Sequence, residues 1–489
     1  MAIRIIALIL TLLVGTPALS AADSDSPTTE ELLAHPDVVG ALAIVDAWIE
    51  SKQLFERIPG ISVGIVHDQD LIWAGNYGHA NLATKRPTDS DTLYSICSIS
   101  KLFTAIGIMQ LRDNDQLELR DSVSDHLDWF EIDQSHAQSG PITIEGLLTH
   151  ASGLPRESDF AYWTDPDFPF PTRSQMIERL KSQSTLYPAQ KYFQYSNLAW
   201  SLAGEIIRER SGQDYDTYIR DKILNPLQLD ETYTFFPEDL YGESLAIGYH
   251  GLQRDHKRDP VNPFFTRGIT AAAGFTSSVN DLAKFASWQF RLLENGGNEV
   301  LAANTLREMQ RVHWVDPDWE LTWGLGFNVR RDAEKTLVSH GGGCPGYITS
   351  FTMVPSEKTA AIVLTNAGDG PAGNIAVNIL NIIGPALQKA ATPNEDALPD
   401  FSAYAGNYEG RPWGGEYAVR QWGDKLAVIN VPSNSLKDAT IRLEHVEGNT
   451  FIRLSDDDEQ REQWKFEFED SSEVATRVLV HSNYSMRVE

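Results

Sequence analysis

The chain has 489 residues, 42% hydrophobic and 22% charged, ordinary globular usage that excludes fibrous repeats and wholesale disorder and leaves room for two or three domains. Forty Lys and Arg against 68 Asp and Glu give a formal net charge of −28, a surface that repels phosphate backbones and argues against nucleic-acid binding. Two cysteines permit at most one bridge, and the 12 histidines form no H-E-x-x-H, so neither a disulfide framework nor a zinc site has support.

Residues 1–22 read as a secretory signal peptide: Arg4, an apolar run from Ile5 to Val14 broken only by Thr11, then small residues through Ala22. The run is too short to span a bilayer comfortably. The mature chain is therefore expected to begin near Ala22 or Asp23 and to work in a periplasmic or secreted, oxidising space, with no integral membrane span after cleavage. Helical spacing follows from Val39 to Arg57, with Leu42, Val45, Trp48 and Ile49 on one side and Pro59 as the stop. Two apolar runs, Ile61–Val66 and Leu71–Asn76, around a polar turn predict a β-hairpin.

Two further helices are expected over Ser98–Leu111 and Leu198–Arg210, the second closed by Gly212. Lys335–His340 and Tyr347–Val354 read as strands around a glycine-rich bend, and Ala360–Thr365 as another strand. Strands at both ends with helices between predict one α/β domain over 33–385. Residues 391–400 have linker composition, and 401–489 turn to short strands, six of them between Tyr417 and His481, as in a small all-β module that folds separately. The acidic run Asp456–Glu459 reads as a solvated turn.

The chemistry-bearing residues begin with Ser98-x-x-Lys101, the only S-x-x-K in the chain. At i and i+3 the two side chains share a helix face, so an amine held dry enough to lose its proton can activate the hydroxyl. Tyr195-Ser-Asn197 offers a phenol and a carboxamide two residues apart, suited to relaying a proton and orienting a carbonyl. His340-Gly-Gly-Gly343 ends a strand where a substrate can approach the backbone and meet an N–H donor. Taken singly, Tyr195 equally suits a buried phenol, Asn197 a helix cap, and His340 a satisfied histidine.

In that order, Ser98-x-x-Lys101, Tyr195-x-Asn197 and His340-x-Gly342 resemble the three motifs of penicillin-recognising serine hydrolases, in particular the class C β-lactamase-like group. Leu147–Leu154, Asn225-Pro-Leu227 and Gly274–Leu282 resemble its connecting segments, and the likeness covers about 40–385. The resemblance implies an α/β (α+β) serine β-lactamase-like fold: an antiparallel sheet flanked by helices, with a helical subdomain. The 401–489 region, with Tyr404-Ala-Gly-Asn-Tyr408, looks like the lipocalin-like β-barrel appended to many such proteins.

The resemblance further implies that Ser98 is the acylated nucleophile, Lys101 its base, and Tyr195 the proton donor to the leaving group or a partner in the base role. Asn197, His340, Gly342 and Gly343 would bind substrate, with the N–H groups of Ser98 and Gly343 as oxyanion donors and no cofactor or metal required. The implied activity is cleavage of a small-molecule ester, amide or D-amino-acid peptide. A β-lactamase is the alternative, and a non-catalytic peptidoglycan- or protein-binding module on the same fold is a second; the oligomeric state is left open. His340-Gly-Gly replaces the K-T-G of many β-lactamases, which removes a cation and a hydroxyl from the place where a carboxylate would be held. A related group, the class A carbapenem-hydrolysing β-lactamases, has a disulfide at the positions matching Cys97 and Cys344, so the resemblance implies that bridge, with two free buried thiols as the alternative.

Two motif matches fail on context. Gly60-Ile-Ser62-Val-Gly64 fits a nucleophile elbow, but strand-like residues follow Ser62 where a helix is needed. Gly341-x-Gly343-x-x-Gly346 lacks the helix that a dinucleotide-binding turn requires.

Overall fold

The computed structural model describes residues 27–332, 334–392, 398–469 and 471–488; the expected signal peptide lies outside them, as does the middle of the expected linker. A short helix, Thr29–Ala34, leads into α1 (Pro36–Phe55), which enters three residues earlier than its periodicity suggests because Pro36 suits a first helical turn. The hairpin follows as β1 (Gly60–His67) and β2 (Asp70–Asn81). Next come β3 (Tyr94–Cys97), α2 (Ser100–Asp113), α3 (Asn197–Ser211) and α4 (Val279–Asn295), then β4 (Lys335–Cys344), β5 (Tyr347–Val354), β6 (Thr359–Thr365) and α5 (Ala372–Ala390). The expected glycine bend is a correction. His340 does not end its strand: Gly341–Gly343 continue β4, paired residue by residue with β5 from Cys344↔Tyr347 to Val338↔Met353.

β2, β1, β6, β5 and β4 form the centre of a nine-stranded sheet, antiparallel throughout. Alternation along the strands sends side chains to two separate cores, as period-two pleating requires. Ile61, Val63, Ile65, Ala361 and Val363 pack with α1 and α5, whereas Ile362, Leu364, Phe351 and Met353 pack with α2, α3 and α4. Ser62 is a fully buried strand residue bonded to Asp89 O and the Tyr94 hydroxyl. Among the described residues no helix is long and apolar enough to cross a membrane.

The C-terminal region is a closed barrel of eight strands, two more than its sequence pattern shows. Gly406–Glu409 and Asn483–Val488, too short and polar to stand out, pair with each other and close it. Its interior is filled by Tyr408, Val419, Leu426, Val428, Leu443, Phe451, Phe466 and Val478. Asp456–Glu459 lies exposed in the turn between two strands.

The barrel is not an independent bead on a linker. Its second and third strands, β7 (Glu416–Trp422) and β8 (Lys425–Asn430), turn Ala418, Ala427 and Ile429 outward into the core shared with α1 and α5. Trp48 Nε1 donates to Ser433 O at 3.0 Å, and Leu436 N to Asn378 Oδ1 at 2.7 Å. Gly40 makes the contact possible: a Cβ there would lie 2.6 Å from Gln421 O and 2.7 Å from Trp422 Cα. Replacing Gly40 by Leu should therefore destabilise the protein by about 1–3 kcal/mol through overpacking, despite leucine's better helix propensity. Thermal unfolding checks this, and an unchanged or raised midpoint contradicts the close-approach account.

Candidate active site

β3 and α2 meet in a tight turn that carries Ser98. Cys97 takes a left-handed backbone conformation, φ 51°, uncommon for a residue with a Cβ. The helix then opens at Ser100, not at Ser98 as its pattern suggests, and the Ser100 hydroxyl closes the turn onto Cys97 O. Ser98 is left partly exposed at a strand–helix junction, while Lys101, one turn on, is fully buried.

The turn is fastened to the sheet from two sides. Gly342 sits where a Cβ would lie 2.2 Å from both Ile96 O and Thr349 Oγ1, so a glycine is required for β3 to reach β4. Gly342 faces the packed side of β4, while Gly341 and Gly343 are exposed. Cys97 and Cys344 are joined by a disulfide, with Cα atoms 5.8 Å apart. β4 pairs with its outer neighbour, Asn328–Asp332, only as far as Ser339. Among the described residues no strand covers the edge from His340 to Cys344, which leaves that stretch of backbone open beside Ser98.

Lys101 Nζ lies 3.0 Å from Ser98 Oγ, 2.9 Å from Asn197 Oδ1 and 2.6 Å from Ala272 O. Burial holds its pKa well below the ordinary lysine range; Glu157 opposes that shift and Arg156 adds to it. Asn197 begins α3, and Ser196 caps the helix through Ala199 N. Both ends of the Asn197 amide are engaged, Oδ1 by Lys101 and Nδ2 by Glu157 Oε1 at 2.7 Å. Asn197 thus links the lysine amine to the Glu157 carboxylate. The Tyr195 ring stacks on His150 with centroids 4.1 Å apart and has Lys101 Nζ 5.0 Å from its own centroid. Burial pushes the Tyr195 phenol up to about 12, with the Ser98 hydroxyl partly offsetting the rise.

His340 is 3% exposed, and burial with the nearby Lys101 pushes its pKa down to about 3. Its Nδ1 donates to Gly341 O at 2.7 Å, and Nε2 has no partner among the described residues. It is a neutral acceptor, not a substitute for a lysine. Trp323 meets it edge-on at 5.7 Å. The structure thus brings Ser98, Lys101, Tyr195, Asn197 and His340 together. It adds Arg156, Glu157, His150 and Trp323, which carry no motif spacing; His150 lies inside the Leu147–Leu154 segment, but nothing there marks it as a partner of Tyr195.

The disulfide closes a sequence separation of 247 residues. Replacing Cys344 by Ser should cost about 2–5 kcal/mol of stability. Thermal unfolding of variant and parent, with and without reductant, checks this; a reductant-insensitive parent would show that the bridge carries no load.

Residues 45–382 match the family described as Beta-lactamase, and residues 388–489 match a domain of unknown function, DUF3471. Among curated relatives, Protein flp of Staphylococcus aureus (strain MW2) is 32% identical over 333 residues, covering 66% of this chain and 62% of that protein. Unguisins hydrolase ungD' of Aspergillus campestris is 28% identical over 331 residues, covering 64% and 60%. The chain thus spans about three-fifths of the length of the curated relatives it matches. The octameric penicillin-binding protein homologue from Pyrococcus abyssi superposes with a TM-score of 0.62 at 26% identity, covering 91% of this chain and 99% of that one. With its sheet, its helices and most of its length matched, the chain belongs to the beta-lactamase family.

Proposed function

We propose that the protein is an exported serine hydrolase that forms an acyl-enzyme on Ser98 and cleaves ester or amide bonds, D-amino-acid peptides among them. One observation carries the reading: the buried Lys101 amine 3.0 Å from Ser98 Oγ. A neutral amine has two N–H donors and one lone pair. Asn197 Oδ1 and Ala272 O take the two donors, which leaves the lone pair facing the serine hydroxyl. As Ser98 attacks a carbonyl, its proton passes to Lys101.

Tyr195 protonates the leaving group, because a phenol raised to about 12 and stacked on His150, whose pKa burial holds well below the ordinary range, keeps its proton at working pH. In this reading the N–H groups of Ser98 and Gly343 receive the developing oxyanion. A relative whose name describes a hydrolase of unguisins is consistent with bond cleavage on this scaffold. The disulfide suits an oxidising compartment, in keeping with a cleaved signal over 1–22. The lack of a cation at His340 and of a side chain at Gly341 disfavours efficient penicillin turnover.

Lys101→Ala should lower kcat/KM for p-nitrophenyl esters at least ~10²-fold while fold and melting behaviour persist; near-normal turnover would contradict the mechanism. The pH profile has a defined sign. A base works when deprotonated, so activity rises through the depressed pKa of Lys101. Glu157 raises that pKa, so Glu157→Gln should move the acid limb to lower pH. A shift to higher pH, or none, would show that Lys101 is not the titrating base.

A further inference from the structure

The β4 side of the cleft offers no positive charge: His340 is neutral and Gly341 bears no side chain. A cation stands instead on the loop around Pro155 and Arg156, which packs against the start of α3. Its backbone is pinned to the helix start: Ser196 Oγ donates to Pro155 O at 2.6 Å, and Asn197 N and Leu198 N donate to Arg156 O at 2.7 and 3.2 Å. From this fixed point the Arg156 side chain, 60% exposed, lays its guanidinium carbon 5.0 Å from the centroid of the Tyr195 ring.

Among the described residues the one ionic partner of Arg156 is Glu157, whose Oε1 lies 3.4 Å from Nε. That is longer than a direct charge-assisted bond, about 2.7–2.9 Å. The same carboxylate is committed elsewhere, Oε1 to Asn197 and Oε2 to the Tyr162 hydroxyl. Among the described residues the two Nη groups have no hydrogen-bond partner, and the exposed side chain leaves the guanidinium fork near Tyr195 available to grip a carboxylate. Because Tyr195 serves the leaving group in the reading above, a group within reach of this guanidinium belongs to the leaving side of the scissile bond.

We propose that Arg156 is a specificity-determining residue that binds a carboxylate on the substrate's leaving group, such as the C-terminal carboxylate of a peptide. Anion recognition thus comes from the loop over Tyr195 and not from β4. The inference rests on the assignment of Ser98 as nucleophile.

The test compares the 3-carboxyphenyl and 3-carbamoylphenyl esters of one acyl group, which differ in a single charge. The parent enzyme should favour the carboxylate ester in kcat/KM. Arg156→Gln should cut that preference about tenfold, mostly through KM, and Arg156→Lys should keep part of it, since an ammonium retains charge without the fork. Taking the ratio of the two esters removes any general effect of Arg156 on Lys101 or Tyr195. Equal losses for both esters, or no carboxylate preference in the parent, would overturn the assignment. Labelling by a fluorophosphonate separates the two levels: if Ser98 is labelled and the ratio does not respond, Arg156 alone is wrong; if Ser98 is not labelled, the acyl-enzyme reading itself falls.

Discussion

The site depends on one constraint: an amine buried without a counter-ion in direct contact. Lys101 is fully buried, and its three near neighbours are a hydroxyl, a carboxamide oxygen and a backbone carbonyl, none of them charged. Desolvating an ammonium in such a place is costly, and burial holds the lysine's pKa well below its ordinary range. The Glu157 carboxylate stands behind Asn197, bonded to its Nδ2. Direct contact with Nζ would favour the charged amine more strongly, since Glu157 already raises the lysine's pKa from behind Asn197. Asn197 is the spacer that keeps the two apart while coupling them.

The rest of the fold serves to hold that arrangement. Ser98 must lie between a buried helix and an open strand edge, which requires β3 to run almost against β4. Gly342 gives the room, the Cys97–Cys344 bridge ties the two together, and Thr349 Oγ1 donates to Ile96 O at 3.3 Å. On the far side of the sheet α1 and α5 have no cleft to build and are covered by the barrel. The barrel thereby contributes to the stability of the hydrolase core from the face opposite Ser98, with its own interior filled by side chains.

Residues tied to each other by short spacing were legible in the sequence. Ser98 and Lys101 share a helix face, Tyr195 and Asn197 share a helix start, and the strands around Ile61 and Tyr347 alternate as buried strands do. Features that depend on distant pieces of chain were not. Gly341–Gly343 read as a bend because glycine weakens strand propensity, yet the ladder to β5 holds them extended and the approach of Ile96 demands one of them. Arg156 and Glu157 sit in an aperiodic loop, and only its attachment to α3 gives them a place in the site. The linker composition of 391–400 pointed to independent domains, whereas the docking face is spread over Gly40, Trp48, Ala418 and Ile429, which no local window joins.

The account stands most directly on the charge state of Lys101 in the resting protein. Site-resolved NMR of lysine side-chain nitrogens, assigned by comparison with Lys101→Ala and titrated from pH 5 to pH 11, reads it. The Lys101 amine should be neutral near pH 7 and titrate far below the ordinary lysine value of about 10.4. An ammonium that persists at Lys101 through pH 9 would contradict it.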